Sequence, residues 1–137
     1  MTGSESAQRI LIHLFLGLVA VQFFLAGLGV FRNNPEPAKK IVESSTFDAH
    51  RILGDVLTLL AFVILVLAFV TRRGLRLCVA LLVLMVIQNL LAGLGEDTPV
   101  LGGLHGLNAL VIVAVAAVLL MQMRPPGVTP TTPPSSA

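Results

Sequence analysis

The chain has 137 residues, 55% of them hydrophobic and 12% charged, with a mean hydropathy of +0.93. A soluble domain of this length cannot cover so much apolar surface with so few charges, so the composition points to a bilayer. The lone Cys78 excludes a disulfide framework and a multi-cysteine metal site. A net charge of +2 without a basic stripe gives no expectation of nucleic acid as a partner.

In chain order, a polar lead-in ending at Arg9 precedes the first apolar run, Ile10 to Phe31. No small-residue cleavage site follows it, so it reads as a retained span rather than a signal peptide. A long connection with Pro35, Pro37, Lys39 and Lys40 comes next, the candidate for a lid or partner site over the outer face. Ser45 and Asp48 have capping-box spacing, which predicts a second helix starting just after Ser45 and spanning 49–70. The third span is 75–95 and the fourth 100–123, with Thr98 and Pro99 as N-cap and first helical residue. Each is close to the about 20 apolar residues that cross a bilayer as a helix. Helices are required because hydrocarbon offers backbone groups no partner. The fold class expected is all-α, a four-helix transmembrane bundle.

The connection around Arg72, Arg73 and Arg76 is short and basic, whereas Glu96 and Asp97 make the next one acidic. The positive-inside rule then places both termini in the cytoplasm, although Arg32, Lys39, Lys40 and Arg51 fall on the other side. Residues 125–137 are rich in Pro, Thr and Ser and read as a disordered cytoplasmic tail.

An internal repeat organises these spans. Gln22 to Gly29 reads QFFLAGLG and Gln88 to Gly95 reads QNLLAGLG, identical at six of eight positions. Each copy is followed by a helix with a histidine near its start, His50 or His105. The chain therefore reads as two helical hairpins in the same direction. At about 1.5 Å per residue, His50 is expected roughly 8 Å into its helix and His105 roughly 10 Å. In a bundle with short connections the second and fourth helices are diagonal, so the two imidazoles face each other across the core.

Two facing neutral imidazoles in an apolar bundle suit the axial positions of a haem iron. Gly54 and Ala109, four residues after each histidine, together with Ala26, Gly29, Ala92 and Gly95, leave room for a flat macrocycle. Arg51, Arg32, Lys39 and Lys40 at the rim suit propionates. The same small residues also fit close helix packing, and Gln22 and Gln88 fit hydrogen bonds between helices.

His-Arg at 50–51, Gln88 to Gly95, and Leu104-His105 together resemble one four-helix half of the haem A synthase family. The resemblance spans all four helices and implies haem b held by the histidines of helices two and four. The departures are a single bundle, Phe47 where that family has an acid, and no outer-loop cysteine pair, so no oxidation chemistry carries over. The chain also resembles small four-helix bacterial membrane proteins of no assigned activity.

Among the remaining residues, Asp55 stands four after Arg51 and suits an ion pair, with a proton relay as the alternative. His13 has Val79 in its place in the repeat and reads as interfacial; Cys78 reads as a small buried apolar residue. Asn89 and Asn108 suit bonds to backbone or a neighbouring helix. The expectation is a multi-pass protein of a bacterial plasma membrane that binds haem b through His50 and His105. Arg51, Gly54, Ala109, Gln22, Gln88, Gly29 and Gly95 would line the cofactor, and a membrane redox protein or a quinol would be the electron partner. The alternative is a cofactor-free accessory subunit of a larger membrane complex. No catalytic residue set is assigned.

Overall fold

The computed structural model describes residues 2–32, 47–95 and 98–123. Four helices account for them: α1 (Gly3–Arg32), α2 (Asp48–Thr71), α3 (Leu75–Gly95) and α4 (Pro99–Gln122). All four are long and apolar enough to cross a membrane, and the chain is a multi-pass membrane protein of the four-helix type.

The core follows from heptad-like spacing. Leu57, Ala61, Ile64 and Ala68 on α2 are buried, as are Cys78, Leu81 and Met85 on α3 and Ile112, Ala116 and Leu119 on α4. Steps of three and four residues keep these side chains on one stripe per helix, the pattern of near-parallel bundle packing. The other faces are equally apolar but exposed, with Leu59, Phe62, Phe69 and Leu110 each more than half accessible. Water would penalise so much exposed apolar surface, whereas lipid tails do not. Each helix packs on its chain neighbours and α1 closes onto α4. Across the diagonals the helix backbones stay apart among the described residues and only side chains meet, Gln8 of α1 on Cys78 of α3 and His50 of α2 beside His105 of α4.

Two helix starts differ from the sequence expectation. α1 begins at Gly3, not near Ile10. Thr2 and Glu5 form a reciprocal capping box, with the Glu5 carboxylate accepting from the Thr2 amide at 2.8 Å and the Thr2 hydroxyl from the Glu5 amide at 3.3 Å. At 30 residues, α1 is about 45 Å long and outreaches a hydrocarbon core of about 30 Å. α2 begins at Asp48, with Phe47 as an N-cap that makes no side-chain capping bond. Asp48 instead places a negative charge in the first turn, where the helix dipole favours it. Ser45 lies outside the described residues, as do Lys39, Lys40, the acidic pair Glu96-Asp97, Arg124 and the 125–137 tail. The side chain of Arg32 also lies outside them. Thr98 and Pro99 open α4 as expected, although Thr98 contributes its backbone carbonyl, which accepts from the Leu101 and Gly102 amides at 2.9 and 3.2 Å, and not its hydroxyl.

The turn between α2 and α3 is tight. Arg72 and Gly74 both adopt positive φ, 56° and 66°. Gly74 is required twice over: its backbone is left-handed, and a Cβ there would run into the Leu119 side chain. Beside this turn a polar latch ties the helix ends together. Gln8, fully buried, accepts from the Thr71 hydroxyl at 2.7 Å and donates to the Arg73 carbonyl at 3.3 Å. Arg73 in turn pairs with Glu5 at 3.1 Å.

Candidate functional site

At the opposite end the bundle holds a half-open cavity of about 960 Å³. That volume is near the top of the range of about 300–1,000 Å³ typical of small-molecule and cofactor sites. His50 and His105 both line it, and their ring centres stand 6.3 Å apart with the planes inclined at 59°. His50 is the third residue of α2 and His105 the seventh of α4. They therefore lie about 3 Å and 9 Å into their helices, His50 closer to its helix start than the roughly 8 Å expected because α2 starts later than Ser45. The imidazoles nevertheless meet.

Each hairpin positions its histidine in the same way. Nδ1 of His50 contacts the Gln22 backbone carbonyl at 3.2 Å, and Nδ1 of His105 contacts the Gln88 carbonyl at 3.1 Å. A carbonyl only accepts, so in the neutral imidazole Nδ1 carries the proton and Nε2 the lone pair. This is the arrangement that orients and fixes the tautomer of a metal-ligating histidine. The repeat seen in the sequence is thus a structural repeat: glutamine backbone on one helix, histidine on the next.

The glutamine side chains break that symmetry. Gln22 donates Nε2 to the His50 backbone carbonyl at 2.7 Å. A Cβ at Gly54 would lie 3.5 Å from Gln22 Nε2, an ordinary contact, so an alanine there would leave this bond in place. Gln22 Oε1 is then buried without a hydrogen-bond partner among the described residues. Gln88 points its amide at Nε2 of His105, 3.2 Å away, and accepts from Asn108 Nδ2 at 2.7 Å. Asn108 also donates to the Leu84 carbonyl at 3.0 Å. The position matching Asn108, three residues after the histidine, is Leu53 in the first hairpin.

The other residues expected at the site divide. Arg51, Gly54, Ala109, Ala26, Ala92 and Gly95 line the cavity. Gly29 instead faces the Phe47 ring, where a Cβ would come within 2.5 Å of Cε1. Gly95 also lets α3 approach α4: a Cβ would be 2.9 Å from the Gly102 amide nitrogen. Asp55 is exposed and lines the mouth of the cavity. Asn89 donates to the Thr58 hydroxyl at 3.2 Å, linking α3 to α2. His13 is exposed, with Nδ1 on the Arg9 carbonyl at 2.8 Å, and Cys78 is buried as a small core residue.

Residues 22–96 match the model of a family of unknown function, DUF6220, and so cover Gln22, His50 and Gln88, more than half of the chain. The chain belongs to the DUF6220 family. No curated protein and no solved structure matches it. These comparisons show no relationship to the haem A synthases. Within the DUF6220 match, both QxxLAGLG copies fall on the walls of the cavity end, the first on α1 and the second on α3.

Two imidazoles on opposite helices line one cavity, the donor set that would be needed to hold a haem. Their ring centres stand 6.3 Å apart, and His50 and His105 are the residues that would hold such a group. Nε2 of His50 has no hydrogen-bond partner among the described residues. The small residues Gly54 and Ala109 keep space on the histidine faces, and Arg51 supplies a cation at the rim. Among the described residues no group of three or more His, Cys, Asp and Glu side chains gathers to hold a bare metal ion. Two imidazoles are enough for a macrocycle that brings its own four nitrogens, but few for a free ion.

Proposed function

We propose that the chain is a membrane-embedded haem b protein, ligated by His50 and His105 near the outer face of a bacterial plasma membrane and serving electron transfer or haem handling. The observation carrying this reading is the pair of imidazoles facing across the cavity, each with Nδ1 held on a backbone carbonyl. A haem bound there supplies a reversible one-electron couple. The chain's own residues do the rest. Gln22 and Gln88 orient the rings through their backbone carbonyls, the apolar stripe beneath the cavity excludes water, and Arg51 in the cavity lining would offer a cation to a propionate. A single site at one end of the bundle cannot move electrons across the membrane unaided, so a quinol or a second redox protein is the partner in this account.

The test is direct. Protein purified in detergent after expression with ample haem should show a Soret band and reduced α/β bands, and His50→Ala should lose them. A colourless preparation would contradict the proposal and favour a cofactor-free subunit packing its exposed apolar faces against a larger complex.

A further inference from the structure

The two histidines are not equivalent, and the inequality is fixed by a chain of hydrogen bonds that begins and ends on backbone carbonyls. The Leu84 carbonyl can only accept, so the group of Asn108 that meets it at 3.0 Å is the amide nitrogen. The second proton of that nitrogen goes to the nearest oxygen of Gln88, at 2.7 Å. Gln88 must therefore present its own nitrogen to Nε2 of His105, 3.2 Å away, and that Nε2 must be the acceptor. The His105 Nδ1 proton closes the chain on the Gln88 carbonyl at 3.1 Å. No member can be turned over without setting two acceptors or two donors against each other.

The first hairpin has no such chain. Leu53 stands where Asn108 would be, Gln22 turns to the His50 carbonyl, and Nε2 of His50, a residue of the cavity lining, meets no donor among the described residues. Gln22 Oε1 is also left without a partner there.

We infer that Gln88, oriented by Asn108, is a positioning residue that occupies the Nε2 lone pair of His105, so that His50 would be the first to hold a haem and His105 would join only where the Gln88 amide withdraws. This rests on the haem reading of the site. His50 would then be the permanent ligand and His105 the exchangeable one, with Asn108 setting how readily the lone pair of His105 is released. Displacing one hydrogen bond on the way to ligation is a modest handicap, so removing it should change haem affinity by roughly 2- to 10-fold.

Two measurements test this. In apoprotein labelled with ¹⁵N, Nε2 of His105 should give a hydrogen-bonded acceptor shift that moves in Asn108→Leu and in Gln88→Leu, while His50 is unaffected. An unchanged His105 signal in both variants would overturn the inference whatever the haem result. In haem-loaded protein, His105→Ala should keep haem as a high-spin, five-coordinate species, whereas His50→Ala should lose it under the same conditions. Gln88→Leu and Asn108→Leu should raise the low-spin fraction and tighten binding by roughly 2- to 10-fold. Equal loss of haem from the two alanine variants would overturn the order of ligation while leaving the haem site standing. Apoprotein that takes up no haem at all would remove both, even if its histidine signals behave as expected.

Discussion

The rings of His50 and His105 approach to 6.3 Å between centres although the backbones of the helices that carry them stay apart. They do so because each ring is aimed inward by a carbonyl on the preceding helix, and because the residues four positions further on, Gly54 and Ala109, are too small to fill the space between. The approach therefore depends on the bundle's own packing, and it has consequences for stability as well as for binding.

Filling that space should trade binding for stability. Ala109→Leu adds apolar groups where the cavity now is, and each buried methylene contributes about 0.8 kcal/mol. The variant should retain its helix content by circular dichroism, melt at a higher temperature as apoprotein, and take up less haem than wild type. A variant that binds haem normally would show that the macrocycle does not occupy this cavity.

The latch at the other end should be worth more than its ion pair. Gln8→Leu leaves the Thr71 hydroxyl and the Arg73 carbonyl without their buried partner, a loss of about 1–3 kcal/mol. Arg73→Ala removes a partly exposed pair with Glu5 and should lose only about 0–1 kcal/mol. Denaturation in a mild detergent should rank the two in that order.

Two glycines should answer oppositely to alanine. At Gly95 a Cβ would meet the backbone of Gly102 at 2.9–3.0 Å, and backbone on two packed helices yields little. Gly95→Ala should destabilise by about 1–3 kcal/mol. Gly103 has nothing within 4 Å of an added Cβ, so Gly103→Ala should stabilise α4 by about 0.5–1 kcal/mol through helix propensity. Thermal melts of the two apoproteins check both signs.

The amino-acid pattern reveals the spans and the repeat because length and apolar content are averages over some twenty positions, and averages survive local detail. It also reveals that His50 and His105 meet, since short connections make α2 and α4 diagonal. The extension of α1 to Gly3 escapes such averaging: a window tuned to apolar runs passes over Glu5 and Gln8, and Gln8 is buried for its hydrogen bonds. Gly29 looks equivalent to Gly95 in the repeat, yet one faces a phenylalanine ring and the other a helix backbone. The different tasks of Gln22 and Gln88 do leave a signal, namely Leu53 against Asn108. It becomes readable only once the side chains are seen to share a face of the bundle.

The most direct test of the central claim is a titration of detergent-purified apoprotein with haem, followed through the Soret region for wild type and His50→Ala. The account predicts saturation at a single haem per chain for wild type, reduced α/β bands on adding dithionite, and no saturable uptake by His50→Ala. Indistinguishable curves for the two proteins, or a wild type that shows only free haem, would contradict it.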